Sequence, residues 1–455
     1  MMGVRTGNSL GASPSISQDI GVGGFSTCAR QADPDSAEER ALTAFRQWRR
    51  HAVALTPPQL TDFPFQALVG HYRGAGRLSV ADAVVAELRQ LNHSLAGGEV
   101  ESGSLASRSL LAHWLPLSID QEDGDYHTYI GTALYERHWG RASRGRAETE
   151  SRDAVIVALA ADLLAIEADA LTHTASRHQY ARTRAAFQLL QQSANLAPTM
   201  HQFVADAASG APTVADRGDD MALATISMDL AKDVLAWTSD APRQLVDITM
   251  LPVTQLHDEQ MFIRCIQIFE SLYAQVARSL ERAIAALEND DAGEAEEVLR
   301  DAVTRAEAMP ILFRVLTTMP RDAFAVIRDN THGRSAIQSR SYREVELLSA
   351  PREAGSGPQE AAQRDVADRT LQEVYLERAE RRMTDARADG LAEVMRQLDR
   401  AWRMSKRTHW GVTLKVIGSV PGTGGTSGAD YLKHSAGISL FPSLEADEAP
   451  ADASQ

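Results

Sequence analysis

The chain has 455 residues, of which 44% are hydrophobic, and carries a formal charge of −15. That length favours two or three domains with sizeable cores, and the acidic balance argues against duplex nucleic acid as a partner. No run approaches the roughly 18 apolar residues of a membrane span. The two cysteines, Cys28 and Cys265, exclude a disulfide scaffold and a Cys-rich zinc site. With no apolar h-region near Met1, a cytoplasmic location is expected.

Residues 1–36 are rich in Gly, Ser and Asp without a period and read as a disordered tail. Residues 37–206 read as an N-terminal helical domain, rich in Ala, Leu, Arg and Glu. One of its segments, Asp120-Gln121-Glu122-Asp123-Gly124-Asp125-Tyr126-His127 with Tyr129 nearby, has two readings. Its carboxylates and histidine suit a divalent cation, and equally an acidic turn entering a helix. Arg137, Arg141, Arg144 and Arg146 read as a solvated loop, and His173 and His178 are poorly spaced for one helical face. Between 151 and 171 the apolar residues Val155, Leu159, Leu163, Ile166 and Leu171 mark a helix. Its apolar surface calls for packing on the next domain or on a second subunit.

Ala96–Ser104 and residues 207–220 read as linkers, the second as the domain boundary, and Pro351–Gln359 as a flexible break. Residues 221–444 form the second helical domain, and 445–455 an acidic tail. From about Glu259 to Leu287, Phe262, Ile266, Phe269, Tyr273, Val276, Leu280 and Ile284 keep steps of three and four. Asn289 to Gly293 stops that helix. Another runs from about Glu294 to Leu316. A long one begins near Val366 and includes Leu371, Val374, Leu391, Val394 and Leu398, with Gly390 as the point where it would divide. The fold class is all-α.

The last block begins at a basic helix end, Lys406-Arg407. Trp402, Ser405, His409, Val412 and Val416 share one helical face. A histidine there is either a core residue or a ligand. Pro421-Gly422-Thr423-Gly424-Gly425-Thr426-Ser427-Gly428 follows. Such a loop is flexible, or lets backbone amides hold an anion. It is no Walker loop, because no Gly-Lys-Ser/Thr follows.

Three blocks in order resemble the tryptophan 2,3-dioxygenase family. They are His257-Asp258-Glu259-Gln260-Met261-Phe262-Ile263, then Phe324-Ala-Val-Ile-Arg328 with Ser335-Ala-Ile-Gln-Ser339 and Tyr342-Arg343, then His409 to Gly418 with the Gly422–Gly428 loop and Tyr431-Leu432. The resemblance covers about 257–444. It implies a bundle of long helices holding haem b, with His409 as the iron ligand and Ser335 and Gly422 beside the haem. Phe262 and Phe324 would line the substrate pocket, and Arg328 would fork to the substrate carboxylate. Thr423 and Gly424 would close over its amino-acid end. The implied activity is a haem-dependent oxygenase that uses O₂ on tryptophan or a related aromatic amino acid, in a dimer or tetramer.

Three departures are visible. Ile266 stands where the family has a distal histidine, so no catalytic residue is assigned. Met221–Thr238, the stretch inspected for the family's tyrosine-bearing helix, has no tyrosine. Trp402 lies seven residues before His409 rather than four. These changes fall on the side that recognises the ring. They admit a haem-dependent hydroxylase of another aromatic substrate, and, from a different class, a helical haem-binding protein without turnover.

Overall fold

The computed structural model describes residues 34–52, 60, 62–96, 105–120, 126–135, 146–174, 176–208, 220–331, 338–351, 369–381, 383–416, 418 and 427–445. Both tails, Cys28, most of the 207–220 linker, the carboxylates of 121–125, the arginines at 137, 141 and 144 and the Pro351–Gln359 break lie largely or wholly outside them.

The described residues are helical, and no strand occurs among them. In chain order the helices are α1 (Pro34–His51), α2 (Phe65–Ala75), α3 (Asp82–Ala96), α4 (Leu105–Ile119), α5 (Tyr126–Ile130), α6 (Arg146–His173), α7 (Arg177–Ala194), α8 (Pro198–Ala208) and α9 (Asp220–Trp237). Then come α10 (Asp240–Ile248), α11 (His257–Glu288), α12 (Ala292–Leu316), α13 (Arg321–Asn330), α14 (Arg340–Ser349), α15 (Leu371–Arg381), α16 (Asp385–Val416), α17 (Ala429–Ser435) and α18 (Pro442–Glu445).

The middle of helix α6 is an apolar run buried on every side. Val155 to Ala161, Leu163 and Leu164 are all essentially inaccessible. A helix apolar all round must be surrounded, and α7, α9, α10 and α11 pack around it. The contact foreseen for this helix is therefore made within the chain, and one buried cluster runs from Ala41 to Leu444. Helix α11 is amphipathic and 32 residues long. It lies between α6 and α12, and α12 in turn packs against α16.

Three expectations about the last long helix are corrected. It is not continuous from Val366: α15 ends at Arg381 and α16 begins at Asp385. The break is not at Gly390, which sits inside α16. A mid-helix glycine costs about 1 kcal/mol, and burial of Leu391, Val394 and Leu398 outweighs that at ~1.5–3 kcal/mol per side chain. The break instead falls where the Thr384 carbonyl accepts from the amides of Arg387 and Ala388 and starts a new helix. Nor do Lys406 and Arg407 end a helix, since α16 continues to Val416. Lys406 is buried and its Nζ lies 2.6 Å from Glu346 Oε1.

Buried charges bolt the layers together. Arg305 of α12 donates through Nη2 to Asp153 Oδ2 (2.6 Å) and through Nε to Asp153 Oδ1 (3.1 Å). Gln275 of α11 donates to the same carboxylate at 3.0 Å. Both Asp153 and Arg305 are buried. Asp153→Ala therefore strands a buried guanidinium, and the unfolding free energy is expected to fall by about 3–5 kcal/mol, read as a lower urea midpoint.

Gly76 closes α2 at φ +77°, and a Cβ there would sit 2.6 Å from the Thr254 carbonyl carbon. This close approach lets the Arg77 amide donate to Pro252 O at 2.7 Å. It docks the α2 end onto the segment that leads into α11. Gly76→Ala combines a left-handed backbone with a clash against main chain, and a loss of about 1–3 kcal/mol is expected, measurable as a drop in thermal midpoint.

Candidate active site

Helix α11 presents Phe262, Ile266, Glu270 and Tyr273 at steps of four, four and three. Helical periodicity puts them on one face. Phe262 meets Phe324 of α13 edge to face, with ring centroids 5.9 Å apart. Arg328 lies one turn beyond Phe324 on α13 and is half-buried. Ile266, a turn beyond Phe262, is only 9% exposed, so the distal-histidine position is filled by a buried aliphatic side chain.

One turn further, the buried Glu270 carboxylate accepts from Tyr126 Oη (3.0 Å) and Ser339 Oγ (2.9 Å). Burial, reinforced by the Glu270 charge, pushes the Tyr126 phenol well above its ordinary pKa, so it stays protonated and donating. Tyr129, on the same short helix, donates to Glu259 at 3.1 Å. Tyrosines do therefore reach α11, but from α5 rather than from Met221–Thr238. That stretch forms α9, which packs on α6 and α7. The Tyr126-x-x-Tyr129 spacing, which puts both rings on one helical face, was the signal available in the sequence.

His409 projects from α16 and stacks on Phe313 of α12, with centroids 5.1 Å apart and planes 19° from parallel. Phe313 in turn meets Phe269 of α11 at 4.7 Å, which links His409 to the face that bears Ile266 and Phe262. The His409 ring makes no hydrogen bond among the described residues, and it is half-buried rather than sealed. Burial lowers its pKa to about 4. At neutral pH it is an uncharged imidazole with a lone pair to offer. Arg321 of α13 donates through Nε (3.0 Å) and Nη2 (2.7 Å) to Lys415 O near the end of α16. Helix α13 is thus tied both to α11 and to the helix that carries His409.

A polar cluster beside Trp402 was not anticipated. Tyr342 stacks on Trp402 at 5.1 Å and donates to Glu346, the partner of Lys406. Lys406 also donates to Ser435 O at 3.3 Å, which fastens α17 to α16. Ser335, Gly422, Thr423 and Gly424 lie outside the described residues. Among the described residues no group of three His, Cys, Asp or Glu side chains could hold a metal ion.

The class defined by this architecture is an all-α protein whose long central helices gather a neutral histidine, an aromatic pair and an arginine. No family model matches the chain. Individual relatives do. A tryptophan 2,3-dioxygenase from Polaromonas sp. is 28% identical over 235 aligned residues, covering 42% of this chain and 80% of the relative. One from Nocardioides sp. is 28% identical over 224 residues, 41% of this chain and 83% of the relative. A third, from Bradyrhizobium sp., is 26% identical over 235 residues, 42% and 84% respectively. Over about two fifths of its length the chain is thus similar to tryptophan 2,3-dioxygenases, of whose own length it covers about four fifths.

Proposed function

We propose that this protein is a haem-dependent oxygenase that acts with O₂ on tryptophan or a related aromatic amino-acid derivative. The observation that carries the reading is His409, a half-buried imidazole kept neutral by its surroundings and without a hydrogen-bond partner among the described residues. A neutral imidazole keeps a lone pair on one ring nitrogen for iron, whereas a protonated one does not. Haem b bound through His409 supplies O₂ activation, with the ligand and its surroundings setting reactivity.

The chain's own residues bind and orient the substrate. Phe262 and Phe324 offer ring edges and faces to an aromatic group. Arg328 supplies a two-pronged cation for the carboxylate. Thr423 and Gly424 serve the amino-acid end, with Ser335 and Gly422 near the haem. Ile266 puts a buried aliphatic side chain, which cannot act as a base, at the position where the family has its distal histidine. That single substitution favours a second reading within the same class, a hydroxylase of another aromatic substrate.

The test is optical. Protein reconstituted with haem is titrated with tryptophan and other aromatic amino acids while the Soret band and dissolved O₂ are followed. A Soret shift with O₂ uptake is expected. No shift with any of them and no uptake would sink the proposal, and product mass, one oxygen atom gained or two, separates the two readings.

A further inference from the structure

Helix α13 carries Phe324 and Arg328 on a small apolar footing, and Arg321 ties it to α16. It is ten residues long, and of its side chains only Ala323 and Ile327 are buried. A short helix with so small an apolar footing depends on the anchors at its ends. Its C-terminal side is a short Thr331 turn. Its N-terminal side is the turn Thr317–Pro320, and there the fold supplies an unusual anchor from a distant part of the chain.

Arg182 of α7 is 2% exposed. Its Nε donates to Thr318 Oγ1 at 2.9 Å, and its Nη2 donates to Thr318 O at 2.8 Å and to Asp258 Oδ1 at 2.6 Å. Nη1 lies 3.9 Å from Glu167 Oε2 of α6. The same Glu167 oxygen accepts from His257 Nε2 at 3.1 Å and from Gln179 Nε2 at 2.7 Å. Burial opposes the Glu167 charge, but His257 and Arg182 overcome that and hold its pKa below the ordinary value. One guanidinium thus joins the first turn of α11, four residues before Phe262, to the turn that launches α13, four residues before Asp322. Thr318 lies just past the end of α12, in the turn where its own amide donates to Val315 O and the Met319 amide to Leu316 O, so the Arg182 bonds help to hold that turn.

We propose that Arg182 is a positioning residue: through Thr318 and Asp258 it sets the placement of α13 against α11, and with it the reach of Arg328 to a ligand carboxylate. The segment that contains α6 and α7 is, on this account, the brace of the pocket. The second half of the statement rests on the reading of Arg328 given above. The guanidinium fork matters because Nε and Nη2 meet these acceptors from two separate nitrogens, whereas a lysine offers its donors from a single atom on a differently shaped stem.

The test uses the full chain with Arg182→Lys, which keeps the buried charge, and Thr318→Val, which removes one acceptor and no charge. In haem-free protein, amide exchange over 321–330 is expected to quicken about fivefold or more in Arg182→Lys, equivalent to ~1 kcal/mol of local opening. Exchange over 292–316 and 385–416 should stay at the wild-type rate, and Thr318→Val should show a smaller effect in the same segment. In haem-loaded protein, wild type is expected to prefer tryptophan over tryptamine, its decarboxylated counterpart. Arg182→Lys should cut that preference about tenfold (~1.4 kcal/mol) while tryptamine binding is unchanged. Wild-type exchange over 321–330 in both variants, or an equal loss of both ligands, overturns the proposal. Failure of wild type to take up haem counts against the proposed function alone, and the haem-free exchange result then decides the role of Arg182.

Discussion

His409→Ala is expected to abolish the Soret band of reconstituted protein while leaving the far-ultraviolet helix signal in place. The side chain is half-buried at the rim of the core and contributes one ring stack on Phe313, so its loss is a small matter for the fold. On the proposed function it is the protein's ligand to the haem iron. The fall in haem affinity should exceed the ~10–100-fold that loss of a mere supporting group costs. Haem bound by the variant as tightly as by wild type would overturn the ligand assignment. The same residue predicts a pH profile. Its pKa is depressed to about 4 in the folded chain, so proton competition for the ligand is absent at neutral pH and begins only as pH falls towards that value. Haem affinity is therefore expected to be flat from about pH 7 to 5 and to drop about tenfold per unit below 4, the slope of one competing proton. A decline already under way between pH 7 and 6, where an ordinary histidine titrates, would show that burial does not protect the imidazole as the packing implies.

Arg328→Leu should weaken binding of an aromatic amino acid by about 3 kcal/mol, or roughly a hundredfold, the usual cost of removing one partner of a desolvated charge pair. Binding of the corresponding amine, which lacks the carboxylate, should be unaffected. The comparison is read from spectral titrations of the haem-loaded protein. Equal losses for acid and amine would assign Arg328 to the fold instead of the ligand. The result also calibrates the Arg182 variants, because a positioning effect transmitted through Thr318 must be smaller than deletion of the group that it positions.

The elements with a strong period were legible in the sequence. The helix foreseen at Glu259–Leu287 spans His257–Glu288, and the one foreseen at Glu294–Leu316 spans Ala292–Leu316. A long apolar stripe at steps of three and four has one economical conformation, and Asn289-Asp290-Asp291 is a poor continuation of it, with Asp290 at φ +61° in the structure. The break at 382–384 was not legible. Gly390 is the locally weaker residue, and only the burial of its neighbours against α12 decides that the helix passes through it. Tyr126 and Tyr129 were in view, but nothing local links them to Glu270 and Glu259, more than a hundred residues on.

What the sequence by itself determined is the resemblance to tryptophan 2,3-dioxygenases and the residue types at the positions that carry it. Ordered blocks around Phe262, Arg328 and His409 are covalent information, and so is the isoleucine at 266. Tertiary structure alone decided the state of those residues and what braces them. His409 is neutral because of the groups packed around it, and charge regulation by desolvation depends on neighbours that no local pattern specifies. Arg182 is a brace because α7 lies across the α12–α13 turn, a contact between positions 136 residues apart. A buried guanidinium binds whatever acceptors the fold brings within reach, and that choice is made by packing, not by spacing along the chain.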